Sequence, residues 1–555
     1  MGYEQVVGDH VLLAFEGTAL DQAVRERLLA WRPAGVTLFR HLNIESPAQV
    51  RALTDAIQQV AREVGGAPFL IAADQEGGQL AAIGEGVTAL PGNMALGATG
   101  SDDLAFRAGE VIGRELAALG VNVNYAPVCD VNSNPHNPVI GVRSFGEDPH
   151  EVARLAAAMI RGMQRQGVAA TAKHFPGHGD TAEDSHRKAP VVPHGRDRLA
   201  RMEWVPFAAA IEAGVRLVMT AHVAVPSITG QETLPATLSS AVIEGVLRRE
   251  LGFEGVVVSD ALDMHAIRQG EGLILDSLAA VLAGNNLLLL GPQVDDQARV
   301  VRALQQALER GLWPSAQARA GTHPVRQLRR WVAEQAPQPT LDVLACEAHR
   351  RVAQEIAERS ITLVRDENHV LPLRPSASAR IGVFVPQPVD LTPADTSSTV
   401  RLQLGRALRR FHPLVCEYIF PPDPGEDEIA SLVEQARIFD YVIVATQNAW
   451  QQPAQADLVR ALVAAGVQPI VVALRLPYDL TAFPQVRTFV CTYSLQPPSI
   501  EALAKALFGE IPFSGRLPVS LPGLFPRGHG LHTTRHLTVI PASKPHEGKS
   551  ADMSS

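Results

Sequence analysis

At 555 residues the chain is too long for one core and calls for two to four domains. Its 46% hydrophobic and 19% charged content is that of an ordinary globular protein. A net charge of −9 with no long basic run argues against nucleic acid or an anionic membrane as a partner.

The first ten residues carry Glu4 and Asp9 and no cleavable apolar core, so no signal peptide is read there. No stretch is apolar for long enough to span a bilayer. Cys129, Cys346, Cys416 and Cys491 stand far apart without metal-type pairing, which reads as free thiols in a reducing compartment. The expectation is a cytoplasmic protein.

Short apolar runs then alternate with helical patterns. The runs are Gly35–Phe39, Phe69–Ala73, Val121–Tyr125, Val168–Ala172, Leu217–Thr220, Gly255–Val258 and Leu287–Leu290. Between them Ser101–Leu119, Pro149–Gln166 and Arg198–Ala213 repeat Ala, Leu, Arg and Glu at helical spacing. Such alternation predicts an α/β fold with parallel strands under covering helices, and residues 1–325 fit a (β/α)8 barrel of the TIM type. Residues 326–370 read as a charged helical arm. Residues 371–536, with runs at Ile381–Val385, Tyr441–Ala445, Pro469–Ala473 and Thr488–Cys491, read as a C-terminal α/β doubly wound sandwich domain. It has no Gly-rich dinucleotide fingerprint, so cofactor binding is not supported. The tail, 537–555, is rich in Lys, Ser and Pro and reads as disordered.

Polar residues close nearly every barrel run: Asp74, Asp130, Lys173 with His174, His222, and Asp260. Barrel active sites gather at the carboxyl ends of strands, so these side chains predict one pocket. The densest stretch is Lys173-His174-Phe175-Pro176-Gly177-His178-Gly179-Asp180-Thr181, followed by Asp184-Ser185-His186. Asp184 and His186, two apart in an extended loop, point the same way, so the carboxylate can orient the imidazole as a proton shuttle. Asp260 ends a nearly all-Val run and suits a nucleophile, a base, a metal ligand or a helix N-cap. His174, His178 and His186 lack the usual zinc-ligand spacings, so no metal is expected. Asp74, Arg143, Lys173 and His174 form a ring of donors and acceptors suited to a polyhydroxylated ligand. Arg143 and Asp74 forming a buried structural pair is the alternative.

These motifs resemble glycoside hydrolase family 3, most closely its β-N-acetylglucosaminidase branch. The matching segments are Asp74–Gly78, Ala126–Asn132, Gly141–Phe145, Lys173–Thr181 with Asp184-Ser185-His186, Met219–His222, Pro235–Ser239, Gly255–Met264 and, in the second domain, Gly509–Pro518. The resemblance implies Asp260 as nucleophile and His186 as acid/base with Asp184 as its partner. Asp74, Arg143, Lys173 and His174 become sugar-binding groups, and His222 is counted with them. It implies retaining, cofactor-free hydrolysis of terminal non-reducing β-linked N-acetylglucosamine from oligosaccharides or cell-wall fragments, through a covalent glycosyl-enzyme. The alternatives are a β-N-acetylglucosaminide phosphorylase, a β-glucosidase, and a sugar-binding protein without turnover. Gln79 and Ala82 stand where single-domain members usually carry arginines, and Asn286 where Asp is common. The second domain is left without an assigned role.

Overall fold

The computed structural model describes residues 2–182, 190–264 and 272–533. Eight short strands make the first sheet: β1 Val11–Leu13, β2 Gly35–Thr37, β3 Leu70–Ala73, β4 Val123–Asn124, β5 Ala169–Phe175, β6 Leu217–Thr220, β7 Val256–Ser259 and β8 Leu288–Leu290. Each ladder is parallel, and β1 pairs with both β2 and β8. A single bridge, Val258 with Leu287, joins β7 to β8 and nearly closes the barrel. Alternate residues explain why the runs are apolar throughout. Leu12, Leu70, Val123, Leu217, Val256 and Leu289 belong to an interior cluster, while Val11, Leu13, Ile71, Val218 and Val257 belong to the larger cluster that includes the covering helices. A strand buried on both faces has no polar side to show.

The sequence reading began one strand late, because β1 is only three residues long and lies in a buried stretch beside His10. Asp260 therefore follows the seventh strand of the barrel, although its run is the sixth read from sequence.

Two covering helices show how closely the outer layer packs. Helix α1, Asp102–Ala118, is capped by the Ser101 hydroxyl, and α2, Pro149–Arg165, by the Asp148 carboxylate with Pro149 at its start. They cross at glycines. A Cβ on Gly109 would lie 2.3 Å from the Met159 carbonyl oxygen, and one on Gly162 would lie 2.1 Å from that of Phe106.

Two further helices, α3 Ser315–Ala333 and α4 Glu347–Ser360, lead toward the second domain. Its sheet holds β9 Thr362–Asp366, β10 Ile381–Pro386, β11 Val415–Phe420, β12 Tyr441–Thr446, β13 Ile470–Ala473 and β14 Thr488–Cys491, in the order β9-β14-β13-β12-β10-β11. All ladders are parallel except β9 with β14. The reversal of order around β10 is that of a doubly wound sheet. Sequence patterning missed the two edge strands. β9 lies inside the span read as an arm, and β11 exposes Cys416 and Ile419, so neither gives a continuous apolar run. The chain finally returns to the barrel, where the Arg516 N–H donates to Ala98 and the Pro518 carbonyl accepts from Glu147.

Asp184, His186 and the tail from residue 537 lie outside the described residues. Among the described residues no helix is long and apolar enough to cross a membrane.

Candidate active site

Past β3 the chain folds into a small ribbon, Gln75–Gly77 paired antiparallel with Leu80–Ala81. Gly77 and Gly78, at φ +84° and +64°, make its turn, and a Cβ on Gly78 would lie 2.7 Å from the Pro91 carbonyl oxygen. Gln75 fixes the ribbon to its surroundings. Its amide exchanges two 2.9 Å bonds with the Ile83 backbone, and its N–H donates to Asn124 at 2.9 Å. Asp74 and Glu76, two apart in extended chain, both reach Lys173.

The Lys173 ammonium lies 2.6 Å from Asp74 Oδ1 and 2.6 Å from Glu76 Oε1. Glu76 also accepts two parallel bonds from Arg143, at 3.0 Å from Nε and 2.8 Å from Nη2. Two carboxylates and two cations thus alternate, Asp74–Lys173–Glu76–Arg143, in a nearly dry setting. Burial by itself would raise the Glu76 carboxyl, but Arg143 and Lys173 outweigh it and hold its pKa at about 2. Lys173 is likewise opposed by burial, and its two carboxylate neighbours keep it protonated. The pairing differs from the alternative weighed from sequence: Arg143 is partnered by Glu76, and Asp74 by Lys173.

Lys173 and His174 belong to the last turn of pleat in β5, which runs to Phe175. His174 Nδ1 lies 2.7 Å from Asp130 Oδ2, and Asp130 also accepts from the backbone N–H of His178 at 2.7 Å. Burial, reinforced by Arg143 and Lys173, pushes His174 well below the usual imidazole range. A neutral ring with its proton on Nδ1, directed at Asp130, keeps a lone pair on Nε2 to accept a hydroxyl proton. His178 is buried and lowered in the same way, with Nδ1 at 2.8 Å from the Thr181 hydroxyl.

Asp260 follows β7 and is half-buried. Its N–H donates to the Thr220 carbonyl at 3.1 Å and its Oδ1 accepts from the Ala261 N–H at 2.8 Å. Its charge acts on Asp74, Tyr125, His174 and His178, which places these groups near it at the carboxyl end of the barrel. The structure thus brings together Asp74, Arg143, Lys173, His174 and Asp260.

His222 is placed differently. It is buried, with Nδ1 at 2.9 Å from the Thr237 hydroxyl and Nε2 at 3.0 Å from the Ala261 carbonyl oxygen. Both ring nitrogens have protein partners, so the ring braces the strand tip beside Asp260. Asn286 is also a strap, bonded through its side chain to Arg248, the Val257 N–H and the Gly321 carbonyl. Gln79 faces the second domain, where its amide bonds the Ala394 carbonyl and Arg475.

Sequence reasoning gave no role to Glu76, and set Asp130 at the pocket without a partner. For Glu76 the signal was present, since its spacing from Asp74 is the same two residues that joins Asp184 to His186. For Asp130 the signal was its place at the close of a barrel run, but its bond to His174, made between the neighbouring ends of β4 and β5, could not be read from spacing.

Residues 7–328 match the Glycosyl hydrolase family 3 N terminal domain, and residues 361–547 the Glycosyl hydrolase family 3 C-terminal domain. The chain is 31% identical over 561 residues to Beta-hexosaminidase A of Pseudoalteromonas piscicida, covering 91% of this chain and 92% of that protein. With a Beta-hexosaminidase of Alkalilimnicola ehrlichii it shares 41% identity over 302 residues, 53% of this chain but 84% of that protein. The solved structure of a glycoside hydrolase family 3 beta-N-acetylglucosaminidase from Paenibacillus sp. str. FPU-7 aligns at a TM-score of 0.88 and 40% identity, over 94% of this chain and 99% of that one. The chain therefore belongs to glycosyl hydrolase family 3.

Proposed function

We propose that the protein is a retaining exo-β-N-acetylglucosaminidase that removes terminal non-reducing N-acetylglucosamine from oligosaccharides or cell-wall fragments. One observation supports this reading: Asp260 lies close enough to Asp74 and His174 for its charge to act on both, beside the Asp74–Lys173–Glu76–Arg143 network. The names of the relatives in Pseudoalteromonas piscicida and Paenibacillus support the choice of sugar.

Asp74 and Lys173 and the free nitrogen of His174 hold sugar hydroxyls, fixing the ring with its anomeric carbon toward Asp260. Asp260 attacks that carbon while His186, oriented by Asp184, protonates the leaving oxygen. The ester formed at Asp260 is then cleaved by water that His186 deprotonates. The Asp260 carboxylate also stabilises positive charge developing on the sugar ring. A neutral imidazole brings no negative charge against the nucleophile or an anionic aglycone, an advantage over a second carboxylate. The reading includes a carbohydrate as the only partner, no cofactor, and a cytoplasmic setting, for which four free cysteines are the support.

The test compares chromogenic β-N-acetylglucosaminide with β-glucoside, in phosphate and in phosphate-free buffer. Preferential release of free N-acetylglucosamine is expected. Preference for the glucoside overturns the substrate, and a sugar 1-phosphate as main product overturns hydrolysis.

A further inference from the structure

The ribbon that carries Glu76, and that leaves β3 at Asp74, is held from two sides. On the barrel side Gln75 bonds Ile83 and Asn124. The barrel also holds Ala81 through Arg40 and Gly78 through Leu90, and on the other side the second domain adds its own grip. The Thr396 N–H and hydroxyl both donate to the Gln79 carbonyl, at 2.9 and 2.8 Å, and the same hydroxyl accepts from the Ala81 N–H at 3.3 Å. One threonine thereby ties the ribbon's turn to its returning strand. Gln496 donates to the Gly78 carbonyl at 2.8 Å. Arg475, buried from solvent, spans the Gln79 amide oxygen and Asp395, whose carboxylate lies 2.6 Å from it and also caps the loop that presents Thr396 through the Ser397 N–H.

The ribbon needs this grip. Two strands of three and two residues are marginal without support. One side of the ribbon borders an interdomain cavity of about 890 Å³, lined by Gln75, Gly77, Gly78 and Ala81 of the ribbon region and by Thr396 and Gln496. Open space on that side gives the ribbon room to retreat. Retreat would draw Glu76 away from Lys173 and Arg143, and Asp74 away from the sugar.

We propose that Thr396 and Arg475 are positioning residues for the sugar pocket: the second domain sets substrate affinity by latching the ribbon that bears Asp74 and Glu76. The proposal rests on the assignment of that pocket to the sugar. It gives the second domain a task distinct from the chemistry assigned to Asp260.

The test uses the full chain. Thr396→Val removes only the bridging hydroxyl. It is expected to raise KM for a chromogenic N-acetylglucosaminide, and the inhibition constant of free N-acetylglucosamine, together by roughly three- to tenfold, with kcat within about twofold. Thr396→Ser, which keeps the hydroxyl, is expected to restore both. Arg475→Met, made together with Asp395→Asn so that no lone charge stays buried, is expected to give the same split. An unchanged KM in Thr396→Val, a loss confined to kcat, or failure of Thr396→Ser to restore affinity overturns the latch. If the wild type cleaves only glucosides, the substrate reading falls, and the same comparison on the glucoside still decides the latch.

Discussion

His222 is joined to Asp260 through one residue. The imidazole Nε2 lies 3.0 Å from the Ala261 carbonyl oxygen, and the Ala261 N–H donates to Asp260 Oδ1 at 2.8 Å. A side chain expected among the sugar contacts is thus in place to aim the Asp260 carboxylate. His222→Ala is predicted to lower kcat on good and poor leaving groups alike, by about ten- to a hundredfold. The inhibition constant of N-acetylglucosamine is predicted to stay within about twofold. Weakened inhibition with little change in kcat would return His222 to sugar binding.

Asp260→Ala is predicted to abolish turnover while leaving N-acetylglucosamine binding measurable by calorimetry. His186→Ala is predicted to cost about 10²–10⁴-fold on substrates with poor leaving groups and far less on activated aryl glycosides. Equal losses on both substrates, measured as kcat/KM, would remove His186 from the acid role.

Stability is predicted to carry a signature of Glu76. Its carboxyl is held at about 2 in the folded protein against an ordinary value of 4.5. A depressed acid stabilises the fold above its unfolded pKa and loses that contribution as pH falls through its folded one. The window is therefore pH 4.5 down to 2, and the shift corresponds to about 3 kcal/mol. Denaturant melts across that window should be flatter for Glu76→Gln than for the wild type. Parallel curves would show that Glu76 is not the group responsible.

Much of this was legible in the sequence because barrel strands are buried on both faces and end at the site. Apolar runs therefore located β2 to β8, and the residues that close them located Asp74, Lys173, His174 and Asp260. What escaped was either too short or too amphipathic. β1 offers three residues, and β9 and β11 are edges. Pairing was also hidden, since the partner of Arg143 is chosen by the ribbon's turn at Gly77 and Gly78, and the aim of His222 by Thr237 from a later turn. Gln79 looked like a lost arginine in a sugar site, yet its side chain is occupied by a contact between domains.

The glycine crossing of α1 and α2 bears on making the enzyme more heat-resistant. Replacing a helical glycine by alanine ordinarily gains up to about 1 kcal/mol by stiffening the unfolded chain. At Gly109 and Gly162 the added methyl would collide with a carbonyl oxygen of the facing helix, at 2.3 and 2.1 Å, and prise the two apart. Gly245, in the helical segment Ala241–Glu250, meets nothing closer than the Arg249 side chain at 3.6 Å. A thermostabilising programme should begin at that position and leave the crossing untouched.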